Sequence, residues 1–102
     1  MERPTSGVDP KKFEVVQTCL RVYLFEDIKL DAFNHRFVFN YGEQTSELVF
    51  ARAFLEDIHI DRIEQLEVHM LTKIIPTLKT NAGKRITVSK TGIIDVSERE
   101  LT

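Results

Sequence analysis

The sequence predicts an α+β fold: two amphipathic helices packed on antiparallel β-hairpins, in the order α-β-β-α-β-β, within a compact single domain. Three observations predict it. Apolar residues recur at helical spacing over residues 13–24 and 63–78, apolar and polar residues alternate over 33–40, and Gly42, Gly83 and Gly92 punctuate the chain between these stretches.

Asp9 followed by Pro10 marks a helix start, because an aspartate side chain accepts a free backbone N–H and proline at the first helical position gives up no hydrogen bond. At about 100° per residue, Phe13, Val15, Val16, Cys19, Leu20, Val22, Tyr23 and Leu24 fill an arc of roughly 200°. Glu14, Gln17, Thr18 and Arg21 occupy the other side. A strand over "CLRVYLF" is the competing reading, since the stretch is β-branched and aromatic. From Ala32 the period becomes two: Phe33, His35, Phe37 and Phe39 alternate with Asn34, Arg36, Val38 and Asn40. "YGEQTS" supplies a turn, and "ELVFARAFL" reads as the returning strand, with a helix over 46–57 as the alternative.

Asp61, with Glu64 three residues later, predicts a capped start for the second helix, "RIEQLEVHMLTKIIPTLKT". Pro76 must kink that helix or end it early, because its ring clashes with the preceding turn. Gly83 is placed to close it in a left-handed conformation. "RITVS" and "IIDV" then form a hairpin around Gly92. The domain is expected over 9–96, between a flexible segment at 1–8 and a flexible tail at 97–102.

Composition narrows the class of protein. With 102 residues, 42% apolar and 29% charged, the chain can build one core, though a domain of this size buries only about 65% of its unfolded surface. No apolar run approaches the roughly 20 residues that cross a bilayer, and "MERPTSGVDP" lacks the apolar stretch of a signal peptide. Cys19 is the single cysteine, so no internal disulfide forms. An intracellular, cytoplasmic location is expected. The net charge of −2 hides an asymmetry: ten acids against four bases over 26–67, then five bases and no acid over 68–94.

Few residues suggest chemistry. "NAGKR" has the Gly-Lys pair of a phosphate-binding loop but lacks the earlier glycine and the following Ser or Thr. His35, His59 and His69 have no His, Asp or Glu four residues away on a helical face, so no metal or other cofactor is expected. Cys19 falls in the apolar arc of the first helix and reads as a packing residue. Lys84, Arg85 and Lys90, on a hairpin that follows a helix, have the layout of a winged helix and could contact nucleic acid, although Glu64 and Glu67 would repel phosphates.

The second helix carries one stripe of Ile63, Leu66, Met70 and Ile74 and another of Val68, Leu71, Ile75 and Leu78. Together they span about 200°, twice the roughly 100° that a surface helix needs. A second subunit or a protein partner is expected to cover the excess. The candidate interface is therefore Val68, Leu71, Ile75 and Leu78, with Glu67 in the middle of the arc, joined by Arg36, Val38 and Asn40 on the strand face opposite Phe37 and Phe39. These features imply a small non-enzymatic protein–protein interaction module (adaptor, assembly factor, chaperone-like or inhibitory protein) acting as a homodimer or complex subunit, with no membrane partner. The alternatives are a winged-helix-like nucleic-acid-binding regulator and a small enzyme or metal-binding protein.

Overall fold

The structure, a computed structural model, describes residues 9–99. Residues 1–8 and 100–102, which the sequence assigns to flexible ends, lie outside the described residues. Helix α1 spans Pro10–Val22 and leads into strands β1 (Glu26–Asp31), β2 (Arg36–Tyr41) and β3 (Gln44–Phe50). A helical stretch follows: α2 (Arg52–Asp57), a 3-10 turn (Ile60–Arg62), α3 (Glu64–His69), a π turn (Met70–Ile74) and α4 (Ile75–Thr80). Strands β4 (Lys84–Val88) and β5 (Ile94–Glu98) close the chain.

The strands form one five-stranded sheet in the order β1-β2-β3-β4-β5, antiparallel except between β3 and β4, which run parallel. The α+β class is thus observed, but two separate antiparallel hairpins are not. The expected order α-β-β-α-β-β omits β1 and the parallel pair. Parallel neighbours need a long crossover, and the helical stretch from Arg52 to Thr80 supplies it.

α1 starts as the sequence predicts: the Lys11 amide donates to Asp9 Oδ1 at 2.9 Å, with Pro10 in the first turn. It stops earlier than its apolar arc. Leu24 turns left-handed at φ 72°, its amide donates to the Arg21 carbonyl at 3.2 Å, and the Phe25 amide reaches back to the Leu20 carbonyl at 3.0 Å. This pair of bonds is a Schellman closure with leucine where glycine is usual. Val22 and Leu24 are consequently exposed instead of packed. β1 escapes the sequence reading because "EDIKLD" is rich in acids, which strands disfavour. The expected alternation fails at its start too: the Asp31 carboxylate accepts from the Asn34 amide and side chain, His35 is left-handed at φ 54°, and Phe33 points to solvent in the turn.

β3 keeps the strand half of its two readings and α2 takes the helical half, since Ala51 is extended and Arg52–Asp57 coil. Asp61 is not the cap of the next helix. His59 precedes the 3-10 turn, and its Nδ1 accepts from the Asp61 amide at 3.3 Å. Pro76 does not end the helix, which runs on to Thr80; a π turn lies just before it and loosens the backbone where the ring would strike the preceding carbonyl. Gly83 and Gly92 both adopt positive φ where the turns were expected. β5 extends through Ser97 and Glu98, which the sequence places in the tail.

Phe37 and Phe39 of β2, Leu48 and Phe50 of β3, and Ile86 and Val88 of β4 face the helices in one core with Phe13, Val16 and Leu20 of α1 and Leu66, Met70 and Ile74 of the crossover. The helices therefore cover one face of the sheet. The alternate strand residues make the other face, which no described element covers.

Candidate functional site

The predicted helical interface divides in two. Ile75 and Leu78 lie in the core, whereas Val68 is 56% and Leu71 38% exposed. The π turn is the physical cause, because its wider step carries Ile74, Ile75 and Leu78 back over Leu66 and Met70. The buried face is narrower than an ideal helix would give. Glu67 is exposed and lines a cleft of about 360 Å³ between α1 and α3, together with Lys11, Val15, Cys19 and Ile63.

Cysteine and histidine chemistry is poorly supported by the surroundings. Burial, with the Glu67 carboxylate adding to it, raises the Cys19 thiol above its ordinary pKa, which suppresses the reactive thiolate. His35 is buried against Phe13, with ring centroids 6.3 Å apart, and burial, reinforced by Arg52, lowers its pKa. His69 packs on Phe54 at 5.2 Å, and burial lowers its pKa as well. His59 stays exposed as a cap. No group of three or more His, Cys, Asp or Glu that could hold a metal occurs among the described residues, and no helix there is long and apolar enough to cross a membrane.

The uncovered face of the sheet is more highly organised. Glu47, at the middle of β3, is only 2% exposed although no helix lies over it. Three arginines cover it instead. Arg36 Nη1 of β2 donates to Oε2 at 3.0 Å, Arg99 Nε donates to Oε1 at 3.1 Å, and Arg85 Nε of β4 lies 3.5 Å from Oε1. Burial alone would raise the Glu47 pKa, but the Arg99 hydrogen bond, the Arg85 charge and the Arg36 pair outweigh it and hold the carboxyl below its ordinary range. Asn40 sits two pairs along, donating to Asp27 and accepting from Thr45, while Val38 faces Glu47 across the β2–β3 ladder. Arg36, Val38 and Asn40 thus occupy one surface, as the alternation predicts. Glu47 and Arg99 were not singled out by the sequence. Arg99 lies 52 residues from Glu47, and no local pattern joins them.

The basic hairpin is not a projecting wing. β4 is interior to the sheet, Lys84 Nζ pairs with Glu98, and Arg85 leans on Glu47, which leaves Lys90 as the solvent-facing member of the three.

The two edges of the sheet differ. β1 carries Glu26, Asp27, Lys29 and Asp31, and a register shift between Glu26 and Lys29 accompanies the left-handed Asp27 at φ 53°. β5 pairs with β4 in unbroken register from Ile94 to Glu98, and its other edge has no partner among the described residues. Ile93 beside it is 66% exposed and Val96 within it 43%. A groove of about 520 Å³ separates Lys73, Pro76 and Thr77 from Ile93 and Ile94.

Compared with protein-family models, with curated proteins and with solved structures, the chain finds no match.

Proposed function

We propose that this chain is a non-enzymatic protein-binding module that assembles as a homodimer by joining β5 strands edge to edge. The edge of β5 carries this reading: a regular strand with free backbone donors and acceptors is a template for another strand, and natural edges that must stay single are bulged or heavily charged. A second copy is a suitable occupant because an antiparallel pair about a two-fold axis at Val96 is self-complementary. It sets the two exposed Val96 side chains against each other and Ile94 of one copy beside the aliphatic stem of Glu98 of the other. The uncovered sheet face stays free in such a dimer. Packing of His35, His69 and Cys19 against apolar neighbours favours binding over catalysis.

An interface of this extent is at the small end of the range and should have a Kd on the order of 10 µM. Sedimentation equilibrium tests it. Wild-type protein is expected to approach twice the 11.8 kDa chain mass as concentration rises, and Val96→Lys to remain monomeric with an unchanged far-UV circular dichroism spectrum. Val68→Asp and Leu71→Asp are expected to dimerise as the wild type does. Dimerisation lost in those two variants and retained in Val96→Lys would move the interface to the helix and overturn the proposal.

A further inference from the structure

We infer that the uncovered sheet face holds a binding site for an oxyanion, a carboxylate or phosphate group, between Arg36 and Arg85. Donors and acceptors there do not balance. Each guanidinium offers five N–H donors, so three of them far exceed what one carboxylate can accept. Glu47 Oε2 receives Arg36 Nη1, Oε1 receives Arg99 Nε, and the Thr45 carbonyl lies 3.5 Å from Arg99 Nη1. Arg36 Nε is shut off from water with no hydrogen-bond acceptor, and Arg85 Nε, equally shut off, has only its 3.5 Å ion-pair contact with Glu47 Oε1. A buried donor without an acceptor is costly, so an arriving oxyanion gains more there than at a solvated arginine.

Geometry and charge agree. The two arginines flank β3 from β2 and β4, and with Asn34, Glu47 and Val49 they line a pocket of about 350 Å³. Its floor at Val49 is half-buried and apolar. Their side chains are 42% and 36% exposed, so an anion can approach the guanidiniums from solvent. Three guanidiniums against one carboxylate leave this patch net positive in a chain whose net charge is −2. Asp31, beside Arg36 in the β1–β2 register, is engaged by Asn34 at the pocket's edge, and with its carboxylate counted the three arginines still leave an excess of positive charge. Glu47 acts as the positioning residue, keeping three flexible side chains laid over one spot before any ligand arrives. The inference goes beyond the dimer reading and is independent of it, because edge pairing at β5 leaves this face open.

Two-dimensional ¹H–¹⁵N NMR titration at constant ionic strength tests the site, with inorganic phosphate, acetate and a chloride control as probes. Phosphate or acetate is expected to produce saturable shifts at the Val49 and Thr87 amides and at Arg36 and Arg85 Nε–H, with Kd on the order of 1–10 mM for so small a probe. Arg36→Gln and Arg85→Gln each leave Glu47 two arginine partners, and each is expected to weaken binding about 10-fold while the remaining spectrum stays superimposable. Tighter saturation by phosphate identifies a phosphoryl ligand; saturation by acetate that is equal or tighter identifies a carboxylate. Shifts that match chloride, or that persist in both variants, would overturn the site.

Discussion

At one edge of the sheet, β1 bears four charged residues among its six, and the left-handed Asp27 breaks its pairing with β2. At the other, β5 holds five successive pairs with β4 without a bulge and exposes Val96, with Ile93 exposed just before it. Both edges leave backbone groups unpaired, but the first is misshapen and charged against a newcomer while the second offers register and apolar contact. The difference assigns the two edges separate tasks. β1 ends the sheet, whereas β5 is able to continue it.

The severest way to disturb this comparison is to remove what both edges hang from. Leu48 of β3 is fully buried at the centre of the sheet, and Leu48→Ala should cost about 2–5 kcal/mol, read as a lower urea midpoint with β1 and β5 lost together. Loss of one edge before the other would show that they are not anchored in common. Next in size is Val96→Lys, for which dimer dissociation is expected to strengthen about 100-fold, near 2.7 kcal/mol. The matching change at the opposite edge, Lys29→Val, removes a charge but keeps the Asp27 bulge, and it should create no association by light scattering.

Acid should act on the face between the edges. The Glu47 pKa is depressed when the chain is folded, so the stability it contributes is complete above the ordinary glutamate value, near 4.3, and is lost as pH falls through the folded pKa. His35 and His69 are depressed too, and as bases they make the folded chain lose stability as pH falls below about 6.5. A pH series of urea midpoints is expected to decline in these two windows. Glu47→Gln should flatten the lower one and leave the upper one in place. The smallest effect is at the entrance to β1, where Leu24→Gly relieves a left-handed leucine and should raise stability by about 0.5–1 kcal/mol.

What could be read from the sequence follows the range of the interactions. Asp9–Pro10, Gly83 and Gly92 act within a few residues of themselves, so their cap and turns are plain in the chain. The alternation that puts Phe37 and Phe39 inward and Arg36, Val38 and Asn40 outward is equally local. β1 is hidden because an edge strand tolerates acids that an interior strand would not. The β3–β4 pairing joins Leu48 to Ile86, and nothing near either residue reveals it. The same holds for Glu47, whose three arginines come from β2, β4 and the residue after β5. The broad apolar helix misleads for a subtler reason: a π turn before Pro76 changes the angular step and sends Ile75 and Leu78 inward.

Amide hydrogen exchange, followed residue by residue on wild-type protein at low and at high concentration, tests the claim about the edges most directly. Outward-facing amides of β5 are expected to gain protection as concentration rises while those of β1 exchange at one unchanged rate. Equal exchange at both edges across the whole range, or protection appearing at β1 instead, would contradict it.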